Sequence, residues 1–124
     1  MKPGRQLERS SEQLARQIAE AAVDKKARDV VVLDMRGVIG YTDFFVIATG
    51  NTERQTKAIE DAIYQQLKHS EDEQELPARV EGKSEARWIL MDYLDAVVHI
   101  FTPEARDYYR LDTLWGEVPV LEVG

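Results

Sequence analysis

The sequence predicts one α/β domain of the α+β type, in which helices pack on a mixed five-stranded sheet. Five short apolar runs have the length of strands, three longer segments have helical spacing, and a strand-helix-strand unit implies parallel pairing. The chain has 124 residues, enough for one domain with a core. We expect residues 1–10 to form a flexible arm, residues 11–117 the folded domain and residues 118–124 a short tail.

The first helix and the first strand are predicted by a capping pattern and by a β-branched run. Ser10 and Gln13 have the spacing of a capping box, which predicts a helix over residues 11–27. Residues 30–35, VVVLDM, are too few for a helix and rich in valine, so they predict a strand.

A strand-helix-strand unit follows. The run Phe44–Thr49, FFVIAT, is apolar on both faces, which is typical of a central strand. Thr52 and Gln55 form a second capping pattern before apolar residues at helical spacing, which predicts a helix over residues 52–69. Residues 78–82, ARVEG, predict a short strand, and the crossover between the two strands should be right-handed.

The last two strands and the last helix complete the predicted sheet and its cover. Residues 87–92 and 96–101 are apolar runs joined by the three residues YLD, so they predict an antiparallel pair. Pro103 followed by Glu104 is typical of a helix start, and we expect a helix over residues 103–113.

The charge of the chain disfavours nucleic acid as a partner. Its formal net charge is -7 at pH 7, whereas affinity for phosphate backbones depends on lysine and arginine. Residues 1–28 carry +3 and the remainder -10, so we expect little direct nucleic-acid contact and an attraction of the folded body to a basic partner. Lys25, Lys26 and Arg28 lie at the end of the first predicted helix, where they complement its dipole.

Composition also predicts the compartment. No apolar run approaches the ~20 residues of a membrane span, the first residues are polar, and there is no cysteine. We therefore expect a cytoplasmic protein without a membrane-spanning segment.

The junction at Gly50 and Asn51 is a candidate for nucleotide binding. Backbone N–H groups at a strand-to-helix turn can hold a phosphate, but the motifs G-x-G-x-x-G and G-K-[ST] are absent. A turn with a helix cap explains the pattern more simply. A residual nucleotide-binding or nucleotidyltransferase-type enzyme that uses this junction is the alternative function.

The acids and histidines of the chain do not form a catalytic pattern. Four aspartates lie in or beside apolar runs, where paired carboxylates could hold magnesium: Asp34, Asp43, Asp92 and Asp95. No two of them are separated by one residue on one strand, as the acids of nucleotidyltransferases are. His69 and His99 are far apart and no cysteine joins them, so the zinc and nucleophile patterns are not met. We predict no catalytic, cofactor or metal site and no enzymatic activity.

Residues 87–101, RWILMDYLDAVVHIF, are apolar on both faces of both predicted strands. Alternate side chains of a strand point to opposite faces. One face receives Trp88, Leu90 and Asp92. The other receives Ile89, Met91 and Tyr93. Helices on both faces would make the whole segment core, whereas a tryptophan beside aliphatic residues with a charged rim is also typical of a protein-binding patch.

Several sequence blocks resemble the Iojap family, the bacterial ribosomal silencing factors. They are DVVVLDMRG, TDFFVIATGNTERQTKAI, VEG, WILMDYLDAVVHIF and RDYYRLDTLW, and the resemblance covers residues 14–117. Thr52 stands where the family usually has serine, Leu94 where it has glycine, and Asp112 where it has glutamate. The resemblance implies a mixed α/β fold related to nucleotidyltransferases but without their catalytic acids.

The resemblance also implies a function and partners. Similar proteins bind the large ribosomal subunit through its ribosomal protein L-fourteen, at the face where the small subunit docks, and so repress translation when nutrients are scarce. Organellar relatives are linked to assembly of the large subunit. Free relatives are often dimeric, which makes a homodimer an option for the unbound chain.

Carried over by position, the family's contact segment falls on one strand. The implied contact residues are Trp88, Leu90, Asp92 and Tyr93, with Ile89 and Met91 alternating behind them. Trp88 is expected to be the anchor, and Asp92 to pair with a lysine or arginine of the partner. The expected core residues are Ile89, Met91, Val97 and Phe101.

Overall fold

A computed structural model describes residues 10–71 and 73–123. The predicted flexible arm lies outside the described residues except for Ser10, which caps the first helix. The described elements are, in order, α1 (Ser11–Asp24), β1 (Arg28–Asp34), β2 (Phe44–Thr49), α2 (Glu53–Lys68), β3 (Arg79–Glu81), β4 (Trp88–Asp92), β5 (Ala96–Phe101), α3 (Pro103–Tyr109), α4 (Leu111–Leu114) and β6 (Val120–Leu121).

Both long helices begin at side-chain caps. At α1, Ser10 Oγ accepts from the Gln13 N–H at 3.1 Å and the Gln13 side chain accepts from the Ser10 N–H at 2.8 Å, which completes the predicted capping box. At α2, Thr52 Oγ1 accepts from the Gln55 N–H at 3.1 Å, but the Gln55 side chain accepts from the N–H of Asn51 at 2.8 Å. The second cap therefore differs from a standard capping box in one bond, because the Gln55 side chain accepts from Asn51, the residue before the cap, and not from Thr52.

The sheet is mixed, as predicted, with the strand order β3-β4-β5-β2-β1-β6 among the described residues. The parallel pair is β2 with β5, and every other neighbouring pair is antiparallel. The predicted count of five strands is wrong, because β6 pairs with Val32 and Leu33 of β1. Two residues are too few to show a strand period, so the sequence indicated only a tail there.

Two clusters of buried side chains lie on the two faces of the sheet. α1 and α2 cover one face, and the cluster between these helices and the sheet includes Ile18, Ile59, Ile63 and Leu67 from the helices and Ile89 and Met91 from β4. The opposite face carries a smaller cluster, formed by Leu33, Met35, Phe45, Ile47, Val97 and Phe101. Its cover is the short, irregular segment that contains Leu111, Trp115 and Val118. Only the first face is therefore packed under long helices.

Left-handed residues end two helices earlier than predicted. α1 stops before Lys26, whose φ is 68°, so the predicted end at residue 27 is wrong. The helix predicted over residues 103–113 is broken at Arg110, whose φ of 53° separates α3 from α4. Because a left-handed residue changes the direction of the chain, the break lets Leu111 pack on the sheet.

Leu94 holds a left-handed conformation at the turn between β4 and β5. Its φ is 71° and the residue is 63% exposed, so little packing offsets the steric cost of that conformation. We predict that Leu94→Gly raises the free energy of unfolding, measured in urea, by about 1 kcal/mol. Leu94→Ala, which keeps a Cβ, is the control and should give no such gain. Equal stability of the two variants would contradict the prediction.

Candidate protein-binding surface

Trp88, Leu90 and Asp92 occupy alternate positions on β4, on the face of the sheet opposite α1 and α2. All three are partly exposed, whereas Ile89 and Met91 between them are fully buried under the helices. The strand alternation thus separates the two sets of side chains. We call Trp88, Leu90 and Asp92 the β4 row.

Burial removes three of the six implied contact residues from this surface. Tyr93 is 2% exposed and lies in the same helix-side cluster as Ile89 and Met91. None of these three side chains can reach a protein docked on the β4 row. The candidate contacts therefore narrow to the row itself.

Strand β5 lies beside β4 in the sheet, and its side chains on this face adjoin the β4 row. Its residues Val97, His99 and Phe101 pair with the row across the antiparallel register and are buried. Val97 and Phe101 are core residues, as predicted, but they lie on the face of the β4 row and not on the helix side. The row is therefore the outer layer of a packed cluster.

Trp88 is hydrogen-bonded to one of these β5 residues and packs against another. Its indole Nε1–H donates to Nδ1 of His99 at 3.1 Å, and its ring packs against Phe101 with centroids 5.1 Å apart. Because Nδ1 accepts, the proton of neutral His99 lies on Nε2, in a ring that packs edge-on against Phe45 at 4.7 Å. Burial lowers the pKa of His99 to about 4. Trp88 thus shields a neutral histidine while presenting part of its own ring at the surface.

We predict that the free energy of unfolding falls as the pH is lowered from about 6.5 to about 4, because His99 then takes up a proton only in the unfolded chain. The contribution is fully present above the ordinary pKa of 6.5, where both states are neutral, and is lost toward pH 4. A shift of this size corresponds to about 3 kcal/mol. In urea denaturation across this range, His99→Gln, whose amide oxygen can still accept from Trp88, should give a flatter profile. Identical profiles would refute the assignment.

Asp92 is engaged by groups within the chain. Its Oδ1 accepts from the N–H of Leu94 at 2.8 Å, which holds the turn, and its Oδ2 accepts from Nε of Arg79 at 3.3 Å. Arg79 also pairs with Glu81 at 2.8 Å, and its side chain is largely exposed. A cation of a partner would therefore compete with Arg79 for the Asp92 carboxylate.

A cleft opens beside Trp88, and we call it the Trp88 cleft. Its lining includes Glu85, Arg87, Trp88, Glu104, Tyr108 and Tyr109. The 82–87 loop lies close against β4 here, because a Cβ at Gly82 would overlap the carbonyl oxygen of Trp88. Sequence reasoning missed this cleft because it is assembled from a loop, a strand and a helix that are distant in the chain. The signal that could have found it is the tyrosine pair of α3, which no core pattern requires.

The junction at Gly50 and Asn51 is closed by caps. The Asn51 N–H donates to the Gln55 side chain at 2.8 Å, and the Gln55 N–H donates to Thr52 Oγ1 at 3.1 Å. A Cβ at Gly50 would lie 2.9 Å from the backbone nitrogen of Thr56, so the glycine allows close packing of helix and strand. These contacts favour the turn-and-cap interpretation over a phosphate site.

The aspartates that the sequence singled out lie at the same end of the sheet, but their side chains are not grouped to hold a metal ion among the described residues. Asp34 pairs with Arg36 at 2.7 Å, and the hydrogen bonds from Arg36 lower the pKa of its carboxyl group. Asp43 meets the β4-β5 turn through its backbone N–H, which donates to the carbonyl of Asp95 at 3.2 Å. Across residues 10–71 and 73–123, no three acids or histidines are grouped to hold a metal ion.

No described helix combines the length and apolar character that a bilayer span requires.

Comparison with known proteins finds one family. The family model described as ribosomal silencing factor during starvation (RsfS) matches residues 8–124. A ribosomal silencing factor of Halalkalibacterium halodurans is 42% identical, over 92% of this chain and 95% of that protein. The chloroplast protein Iojap of Zea mays is 32% identical, over 86% of this chain and 45% of that protein. The mouse protein named mitochondrial assembly of ribosomal large subunit protein 1 is also 32% identical, over 73% of this chain and 40% of its own length.

Solved structures share the fold. A crystal structure of a protein from Chromobacterium violaceum superposes with a TM-score of 0.81 at 31% identity, over 94% of this chain and 95% of that one. A second, from Bacillus halodurans, gives a TM-score of 0.77 at 38% identity, over 90% and 99% of the two chains. The mixed sheet with helices described above is therefore found in crystal structures of similar proteins.

Proposed function

The chain belongs to the family of ribosomal silencing factors, and on this premise we propose that it binds the large ribosomal subunit and prevents the small subunit from joining. The partner is ribosomal protein L-fourteen, at the face where the small subunit docks, and the result is repression of translation when nutrients are limiting. Steric exclusion requires a docking surface and no catalytic group. The observation that carries the proposal is the partly exposed β4 row, on the face that the long helices leave uncovered.

The β4 row has the chemistry of an interface centre. Trp88 and Leu90 supply adjoining apolar surface, and tryptophan is among the residue types that contribute most to binding energy. Asp92 adds a carboxylate at the end of the row, and it would exchange Arg79 for a cation of the partner. Truncated contacts at this centre should therefore weaken binding more than changes elsewhere on the surface.

The charge distribution supports a basic protein as the partner. Residues 29–124 carry -10, so a basic ribosomal protein is attracted at long range while RNA phosphates are repelled. We propose that contact with ribosomal RNA is minor. The affinity for the subunit should fall as salt is added, because screening weakens this attraction.

We propose that the chain is not an enzyme. Its relatives are named for a regulatory role, and the backbone N–H groups of Gly50, Asn51 and Gln55, which a nucleotide phosphate would need, already donate within the chain. The alternative, a nucleotide-binding or nucleotidyltransferase-type enzyme, requires a saturable nucleotide site. A thermal-shift titration with ATP and GTP up to millimolar concentration tests it, and a saturable shift would support the alternative.

Assembly of the large subunit is a second candidate function. The mouse relative is named for the mitochondrial process, and it matches most of this chain at 32% identity. A protein that docks on the large subunit before joining could serve both roles with one surface. Accumulation of immature large subunits in cells that lack the protein, during growth in rich medium, would favour the assembly role.

The experiment that tests the proposal uses purified ribosomal subunits. The protein should co-sediment with large subunits and not with small subunits, and it should lower the yield of joined ribosomes when added before the small subunit. Binding to isolated L-fourteen by titration calorimetry identifies the partner. Absence of co-sedimentation with large subunits would end the proposal.

The state and place of the free protein follow from the same surface. We propose that it acts in the cytoplasm, where subunits join. A homodimer through the β4 row would hide the docking surface, so it should dissociate on binding. Light scattering at several concentrations measures the oligomeric state, and a dimer that persists on the subunit would show that another surface pairs the two copies.

A further inference from the structure

The Trp88 cleft has an aromatic wall whose inner ring, Trp88, packs on the core and whose outer rings, Tyr108 and Tyr109, are exposed. Trp88 and Tyr109 have ring centroids 4.4 Å apart, and Tyr108 meets Tyr109 edge-on at 5.0 Å. Tyr108 is 80% exposed and Tyr109 47% exposed. Helix α3 has no buried residue of its own, so it presents these rings at the surface without burying them. Exposed tyrosine rings beside a partly exposed tryptophan form a surface that attracts a cation.

The rim of the cleft carries carboxylates. Glu104 lies on it and has no hydrogen-bond or ion-pair partner among the described residues. Glu85 pairs with Arg87 at 3.3 Å, but both side chains are mostly exposed, at 77% and 64%. An exposed pair of this kind contributes little, so Glu85 is free to exchange partners. With Arg87 also lining the cleft, these three side chains carry a net charge of -1, which Glu104 supplies.

We propose that the Trp88 cleft receives one arginine side chain of the basic protein that docks on the β4 row, an inference that rests on the proposed function. The planar guanidinium stacks on an aromatic face and forms a two-pronged hydrogen bond to a carboxylate, whereas the lysine ammonium is a compact charge that lacks the planar stacking and the two-pronged geometry. Tyr108 and Tyr109 supply the faces and Glu104 the carboxylate. Trp88 belongs to both the cleft and the β4 row, so the two sites form one continuous surface.

A nucleic-acid ligand is disfavoured at this place. Bases also stack on aromatic rings, but their phosphates would meet Glu85 and Glu104. The two ligands respond oppositely to removal of a carboxylate. Neutralising Glu104 weakens the binding of arginine and strengthens the binding of RNA.

The test compares variants of two exposed residues in titrations with purified large ribosomal subunits. Tyr108→Leu should weaken binding about fivefold or more through loss of the π face, while Tyr108→Phe, which keeps the ring, should stay within about twofold. Glu104→Gln should weaken binding and reduce its dependence on salt. Urea denaturation of each variant establishes that these surface changes leave the fold intact.

The outcomes separate this inference from the proposed function. If the unaltered protein does not bind large subunits, the proposed function itself fails. If it binds, and Tyr108→Leu binds as tightly as Tyr108→Phe, the proposed function stands but the cleft is not an arginine site. Tighter binding by Glu104→Gln would also overturn the inference, because it would place RNA phosphate at the rim.

Discussion

Replacing Trp88 with alanine is expected to weaken binding to purified large ribosomal subunits by about 30-fold, because truncation of a central interface tryptophan commonly removes ~2 kcal/mol. Trp88 joins the apolar surface of the β4 row to the Trp88 cleft, so its loss removes contact area from both parts of the proposed docking surface. Equilibrium titration by co-sedimentation measures the change. The dissociation constant is corrected for the folded fraction of the variant at the same temperature.

The same change should lower stability as well. Trp88 donates to His99 and packs against Phe101 and Tyr109, so alanine leaves a buried acceptor without its donor and removes ring contacts. We expect a loss of about 2 kcal/mol, less than for a fully buried tryptophan. Water that reaches His99 should also raise its pKa from about 4, which an NMR titration detects.

Two further variants keep the test informative. Trp88→Phe retains most ring packing but also leaves Nδ1 of His99 without its donor, so it should lose less stability than Trp88→Ala while keeping an aromatic ring at the surface. Leu90→Asp alters the β4 row without touching Trp88 and should also weaken binding, because it buries a charge at an apolar contact. If Trp88→Ala and Leu90→Asp both bind within about threefold of the unaltered protein, the β4 row is not the docking surface.

The sequence predicted those parts of the fold that have a clear local period. The apolar repeat of α2 and the two capping patterns placed both long helices, and the two-sided apolar run of residues 44–49 placed β2 in the interior of the sheet. β6 is too short to show a period, and it becomes a strand only because β1 offers it a pairing edge. The helix breaks at Lys26 and Arg110 depend on left-handed dihedral angles. A glycine in the sequence would predict such angles, whereas a lysine or an arginine does not.

Of the candidate site, the sequence could predict only which side chains of β4 share a face, because only that follows from the alternation of a strand. Alternation alone separates Trp88 and Leu90 from Ile89 and Met91, since neighbouring side chains of a strand point to opposite faces. It cannot show that Trp88 is hydrogen-bonded to His99, because that contact depends on the register of β4 against β5. The Trp88 cleft is equally hidden from the sequence, since it exists only where the 82–87 loop and α3 meet.

Ile89→Ala and Leu90→Ala, side by side on one strand, should have opposite main effects. Ile89 is fully buried under the helices, so alanine there should lower the free energy of unfolding by about 2–5 kcal/mol. Leu90 is partly exposed on the other face, and its truncation should lower stability by about 1 kcal/mol or less. Urea denaturation measures both values, and an unchanged dependence on urea concentration shows that each variant still unfolds as one unit.

In binding measurements the order of the two variants should be reversed, with the larger loss of affinity in Leu90→Ala. Once the folded fraction is taken into account, Ile89→Ala should bind large subunits like the unaltered protein, since its side chain lies under α1 and α2, away from the β4 row. Leu90→Ala should bind more weakly while remaining well folded. Met91→Ala is a second buried-face variant and should follow Ile89→Ala in both measurements, because it is fully buried in the same cluster. If Ile89→Ala weakens binding as much as Leu90→Ala at equal folded concentration, the docking surface is not restricted to one face of β4.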